Sequence, residues 1–264
     1  MPQRNECHHA GARPQGLRAA LVPRPLRYAL IAIGVAVVLF VGGPWVYINL
    51  IRDDAPESFL DQATATSITG AESTTDTTLA PSEVTVAPVE ALDDPTGTWQ
   101  VAADSQVGYR VDEVLFGQNV TAVGRTNGVT GEVVVEGTQV VAATFEVDMT
   151  TITSDEPKRD AQFASRIMDT LNFPTSTFVL DTPITLSDGV GTQATTHAAR
   201  GTLTLRGTSK PVDVTVVSTL RDGRVAVVGE IEIVFAEWAI PNPSIPGIST
   251  EDRGVLEFNL VLER

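Results

Sequence analysis

From residue 98 onward the chain repeats one pattern: apolar and polar residues alternate with a period of two, in runs of single-strand length. Successive side chains of a strand point to opposite faces, so each such run buries one face and shows the other to water. In ATFEVDMTTI the apolar positions are Phe145, Val147 and Met149, opposite Thr144, Glu146 and Asp148. STFVLDTPITL sets Phe178 and Leu180 against Thr177, with Asp181 beyond, and GTLTLRG sets Leu203 and Leu205 against Thr202 and Thr204. VDVTVVSTL keeps Val212, Val214 and Val216 in phase, GEIEIVF keeps Ile231, Ile233 and Phe235, and GVLEFNLVL keeps Leu256, Phe258, Leu260 and Leu262. Turn signals separate the runs at Thr126-Asn127-Gly128, Glu136-Gly137, Ser187-Asp188-Gly189, Arg206-Gly207 and Asp222-Gly223. Asn-Gly and Asp-Gly favour tight hairpins because such turns need positive φ angles. About eight short strands joined mostly by hairpins predict an all-β antiparallel domain, a sandwich or a closed barrel. Its inner face is either a packed core or the lining of an apolar pocket.

One passage breaks the alternation. In SDEPKRDAQFASRIMDTLNFP (residues 154–174) Phe163, Ile167 and Leu171 fall at i, i+4 and i+8, with Ala164 and Met168 widening the stripe, as on an amphipathic helix. Thr153 or Ser154 is the expected cap, Glu156 stands where a capping box wants it, and Pro157 falls in the first turn. Asp155, Glu156 and Asp160 lie near the positive end of the helix dipole, and Asn172-Phe173-Pro174 ends the helix. The acids therefore have a local structural role and do not form a catalytic carboxylate cluster.

Three zones precede the β domain. Residues 1–27 are rich in Arg, Pro and Gly without apolar periodicity and are expected to be a disordered cytoplasmic tail. Residues 28–51 carry no charge and suffice to cross a bilayer, which takes about 20 residues. Trp45 and Tyr47 suit an interfacial belt, and Arg27 and Arg52 bracket the stretch. A cleaved signal peptide would have a shorter core, roughly 7 to 15 residues, and VGG before Pro44 is a poor cleavage site. The reading is a single uncleaved transmembrane helix. Arginines crowd its N-terminal side, so the N-terminus is expected in the cytoplasm and everything after residue 52 outside the cell membrane. Residues 52–96 are mostly Ser, Thr, Ala, Pro, Asp and Glu, and are expected to be a disordered acidic linker. The folded domain is expected over 97–264.

Charge and residue inventory exclude several activities. A net charge of −15 argues against nucleic-acid binding and against docking on anionic lipid heads. The only cysteine, Cys7, stands beside His8 and His9 without a plausible fourth ligand, so no metal site is expected. The β domain has one histidine, His197, with no nucleophile elbow near it; the reading is a surface or edge-strand residue. No phosphate loop precedes a helix, and nothing calls for a cofactor or a catalytic role.

Four passages carry a family resemblance. GTWQVAADSQVGYRVDE (97–113) offers an aromatic, a spacer with Asp and Ser, then a strand; TSDEPKRDAQFASRIMDTLNFPTSTF (153–178) a Thr-Ser turn, an Arg-Asp pair, a short helix, Phe-Pro and a strand. ARGTLTLRGTSKPVDVTV (199–216) adds a Gly-x-Leu-Thr hairpin, and WAIPNPSIPGISTEDRGVLEFNLVL (238–262) a C-terminal strand. In this order they resemble the YceI-like, lipocalin-like domains, and the last looks like membrane-anchored, actinobacterial members. The resemblance spans residues 97–264 and implies an eight-stranded antiparallel barrel with an apolar lumen that binds polyisoprenoids or similar long amphiphiles. Where many members have His-Ser in the first strands, this chain has Asp104-Ser105-Gln106, so that histidine's role does not carry over.

With the alternation, the resemblance makes Phe145, Val147, Phe178, Leu180, Leu203, Leu205, Val214, Val216, Ile231, Ile233, Phe258 and Leu260 the expected lumen contacts. Phe163, Ile167 and Leu171 would form a lid helix over one barrel opening. The functional expectation is a non-enzymatic, membrane-tethered extracytoplasmic carrier of isoprenoid or other long-chain lipid. The rival is a tethered structural or protein-interaction module, its barrel filled by its own side chains and aromatic patches exposed around Trp238 and IPNPSIPGI.

Overall fold

The structure, a computed structural model, describes residues 24–37, 43–46, 55–69, 92, 94–186 and 190–264. The chain divides into two compact units, Met1–Asp53 and Asp54–Arg264. In the first, α1 (Arg24–Val37) begins four residues before the apolar run, and α2 (Gly43–Val46) is a single turn. Among the described residues no helix is long and apolar enough to cross a membrane. The rest of 28–51, like residues 1–23 of the expected tail, lies outside the described residues.

The second unit is the predicted barrel. Its strands are β1 (Gly97–Val101), β2 (Gln106–Leu115), β3 (Gln118–Thr126), β4 (Val129–Glu136), β5 (Gln139–Asp148), β6 (Thr153–Ser154), β7 (Thr175–Leu180), β8 (Ile184–Thr185), β9 (Thr195–Leu205), β10 (Thr208–Arg221), β11 (Arg224–Val234), β12 (Ile248–Thr250) and β13 (Arg253–Glu263). All pairings are antiparallel. Two staves are each built from two strands in line: β1 with β2, and β3 with β4. They pair with one another, β1 on β4 and β2 on β3, and the sheet continues through β5, β7, β9, β10, β11 and β13. β13 then pairs back onto β2 and β1, which closes eight staves into a ring. Neighbouring staves are joined by tight turns with two left-handed residues at Phe116-Gly117, Arg206-Gly207 and Asp222-Gly223. The first of these was not among the sequence-level turn signals.

Thr126-Asn127-Gly128 is not a hairpin. The chain continues in the same direction and changes partner, from β2 to β1. The adjacent stave breaks at the same level, between β1 and β2, and Ser105 fills the gap. Val261 N–H donates to Ser105 Oγ at 2.9 Å, Ser105 Oγ donates to the Val261 carbonyl at 3.2 Å, and Asn127 Nδ2 donates to the Ser105 carbonyl at 2.8 Å. One buried hydroxyl thus replaces the ladder where the closing seam bends.

The short helix interrupts the ring between β5 and β7. It runs as α4 (Pro157–Gln162) and opens into a wider, π-helical turn over Phe163–Ile167. Its cap is Glu156, which accepts from Lys158 N–H at 3.2 Å, rather than Thr153 or Ser154. Ser154 is engaged in β6 against Gly124, and its hydroxyl donates to Asp160 Oδ1 at 2.6 Å. The acids of this passage are accounted for: Asp155 pairs with Arg159, Asp160 holds Ser154, and Asp169 accepts from Asn172.

A second departure lies in the stretch expected to be linker. Phe59–Thr69 is a helix, α3, capped by Ser58, whose Oγ accepts from Asp61 N–H at 3.1 Å. It packs on the outer faces of β11 and β13, with Phe59 and Ser58 buried. Residues 70–91 lie outside the described residues.

Replacing Ser105 by Ala leaves the Val261 N–H at the closing seam without its partner. The expected cost is about 1–3 kcal/mol of unfolding free energy, read by urea denaturation; a change below about 0.5 kcal/mol would mean the seam does not depend on this hydroxyl.

Candidate functional site

Inward positions of the staves enclose a lumen in two adjoining lobes. The upper lobe, about 170 Å³, is lined almost wholly by apolar side chains. The lower lobe, about 110 Å³, lies toward α4, and the two share Val107, Val147, Ser176 and Leu256.

The structure places the twelve positions expected to face the lumen as follows. Phe145, Val147, Phe178, Leu180, Leu203, Val214, Val216, Ile231, Phe258 and Leu260 line the upper lobe, while Leu205 and Ile233 line the lower one, as does Val147. Two of the aromatic rings lie flat because the residue facing them across the sheet is glycine. Gly229 faces Phe258 and Gly131 faces Phe145. A Cβ on Gly229 would stand 2.5 Å from Phe258 Cζ, and one on Gly131 would stand 2.7 Å from Phe145 Cδ1. A side chain at Gly229 would push the Phe258 ring into the lumen, whereas one at Gly131 would first meet the Thr144 carbonyl oxygen of the neighbouring strand, 2.2 Å away.

The lower lobe is covered by the helix. Phe163 is buried and stacks on Tyr109, ring centroids 5.1 Å apart, and Ile167 and Met168 complete the lining. Leu171 is not part of this lid; it is 90% exposed. The π-helical turn is the reason. Met168 N–H bonds to Phe163 O, which brings Met168 to the inward face beside Ile167, and the chain leaves the helix at Asp169 with φ +51°. Met168, not Leu171, takes the third inward place. Arg166 ties the helix to the IPNPSIPGI loop by donating to the Pro243 carbonyl at 2.8 Å, and Ile240 and Pro243 of that loop line the lobe. The loop is a rim of the barrel. Trp238, expected to be exposed if this were an interaction patch, is buried.

Three polar features escaped the sequence reading. His197 is not at the surface. It is buried, lines the upper lobe, and its Nε2 lies 3.0 Å from Ser218 Oγ. It stands two, six and eight residues from Ala199, Leu203 and Leu205, so the strand's own period places it inward. Among the described residues, Arg159 and Glu113 are the charged side chains lining the lower lobe, and the upper lobe is lined by none. Burial disfavours the Arg159 charge, but the Asp155 carboxylate beside it outweighs this and pushes its pKa up. Asp104 lies outside the lumen lining and pairs with Arg224 at 3.0 Å.

The YceI-like domain matches residues 99–262. The chain belongs to the YceI-like family. Among solved structures, this YceI-like chain is similar to a polyisoprenoid binding domain from Saccharophagus degradans, with 15% identity over 64% of this chain and 98% of that one and a TM-score of 0.52. It is also similar to Burkholderia cenocepacia BcnA, with 18% identity over 61% of this chain and 98% of that one and a TM-score of 0.50. At identities this low the likeness shows the fold alone. No curated protein matches the sequence significantly.

Tyr109, at the junction of lumen and lid, offers a test of this packing. Burial pushes its hydroxyl far above the ordinary value of 10.0. Below pH 10 the phenol is neutral in both folded and unfolded chains and contributes no pH dependence. Above it the unfolded chain releases the proton and the folded one retains it. Stability should therefore fall with rising pH by up to about 1.4 kcal/mol per pH unit. Denaturation of Tyr109→Phe between pH 9 and 11.5 should show a shallower decline than the parent by that amount; parallel curves would place the phenol in water.

Proposed function

We propose that this YceI-like protein holds a polyisoprenoid or another long-chain amphiphile in its barrel lumen, without chemical turnover. Residues 28–51 would anchor it in the cell membrane, with the barrel on the extracytoplasmic side. The observation that carries the binding reading is an apolar lumen left open. At roughly 24 cal/mol per Å³, an upper lobe of about 170 Å³ left empty would cost about 4 kcal/mol. An apolar cavity of this kind does not recover that cost by taking in water. A hydrocarbon chain does, at roughly 0.8 kcal/mol per buried CH₂. A structural barrel filled by its own side chains would not leave such a space.

The distribution of charge orients the ligand. Arg159 and Glu113 line only the lower lobe. The polar end of an amphiphile therefore belongs beneath α4, and its hydrocarbon tail runs between Phe145, Phe178 and Phe258 toward the far pole. The relative from Saccharophagus degradans is described as a polyisoprenoid binding domain, which supports the same ligand class.

Native mass spectrometry of the full chain from a lipid-containing host should show a co-purified amphiphile, or uptake of added prenyl lipid after delipidation. Gly229→Val, which drives Phe258 into the lumen, should reduce uptake at least tenfold while the chain stays folded by circular dichroism. Absence of any bound or acquired amphiphile would sink the reading. Co-sedimentation with vesicles, and its loss on deletion of residues 28–51, tests the anchor separately.

A further inference from the structure

On the outer wall, where water would be expected, a carboxylate is completely buried. Glu257 points away from the lumen, out of phase with Leu256 and Phe258, yet is 0% exposed. Arg125 Nε donates to its Oε1 at 2.8 Å, and Arg110 Nη1 stands 3.8 Å from its Oε2. The same two guanidiniums reach outward to the start of the second unit. Arg110 Nη1 donates to the Pro56 carbonyl and Arg125 Nη2 to the Glu57 carbonyl, each at 2.6 Å. The Phe59 ring lies against the Arg125 guanidinium, 4.0 Å from its carbon, and is 3% exposed. Beyond it, α3 covers outward positions that an exposed wall would make polar: Val217, Ala226, Val228 and Val261. Two carbonyls, one aromatic ring and an apolar bed are thus matched to two arginines held in place by one buried acid.

We propose that this wall is a peptide-recognition surface whose occupant is the chain's own Pro56-Glu57-Ser58-Phe59, followed by α3, and that it turns the expected spacer into a latch. The consequence for reach rests on the membrane-anchor reading; the latch itself does not. With the segment docked, only Arg52, Asp53, Asp54 and Ala55 separate the apolar run from the wall. At ~3.6 Å per residue this allows at most about 18 Å. Undocked, the 45 residues of 52–96 would intervene, on the order of 40 Å for a flexible coil. The docked barrel is thereby kept at the lipid surface from which a hydrocarbon ligand must come.

Hydrogen exchange on the full chain, in detergent and in phosphatidylcholine vesicles, tests this. Amides of residues 61–67 should exchange at least 100-fold more slowly than an unstructured peptide. Phe59→Ala should remove that protection while β9 and β10 keep theirs, and Arg125→Ala should do the same. Exchange at the unstructured rate in the parent, or unchanged protection in Phe59→Ala, would overturn the latch. Protection that disappears on dilution would also overturn it, since it would mean a segment lent by a second copy. In vesicles, energy transfer from a dye at Asp222→Cys (in a Cys7→Ser background) to a lipid acceptor should fall in Phe59→Ala. A chain that does not sediment with vesicles refutes the anchor, while exchange in detergent still decides the latch.

Discussion

The barrel depends on one seam. Eight alternating strands have no shared interior until β13 pairs with β1 and β2; before that, half of their apolar positions face an open sheet. Closure demands that the first two staves bend, because β13 meets β2 along its lower half and β1 along its upper end. The bend opens a gap in the ladder, and Ser105 bridges it with one buried hydroxyl. The seam therefore converts a local pattern, alternation along each strand, into a global one, a single lumen. Closure also pairs the two outer staves of the sheet with each other, edges that a β-rich surface otherwise leaves open to another chain.

Much of this was legible because the strand period is two. A single correct phase assigns every second residue of a run, and twelve wall positions from six strands were placed in this way. His197 was missed by being considered alone; its own strand's phase with Leu203 and Leu205 would have put it inside. Leu171 was misplaced for the opposite reason. The i, i+4, i+8 spacing assumes a regular helix throughout, and a wider turn at Phe163–Ile167 resets it. Nothing in the side chains there announces the change. Asn127-Gly128 gives a bend, but a bend does not say whether the chain reverses or merely changes partner; that is decided by the seam on the far side.

The segment before the barrel was judged by composition, which averaged away a local signal. Ser58-Phe59-Leu60-Asp61 is a helix start, an N-cap with an acid three residues on. The wall carried a matching clue. In VDVTVVSTL and RVAVVGE the alternation is blurred by extra valines, Val217 and Val228, which face outward. An apolar residue out of phase on a strand marks a surface that something covers.

The glycine and ring pairs across the sheet carry a consequence for how such a barrel diversifies. Phe145 and Phe258 lie flat only because Gly131 and Gly229 concede the space behind them. Lumen width at each level is therefore set by a two-residue register, independent of turn chemistry and of the seam. Shrinking a ring widens that level, and replacing Gly229 narrows it by moving the Phe258 ring, while a side chain at Gly131 also presses on the backbone of the paired strand at Thr144. A family can retune its cargo one level at a time, much as a stepped bore is re-cut, while the staves stay where they are.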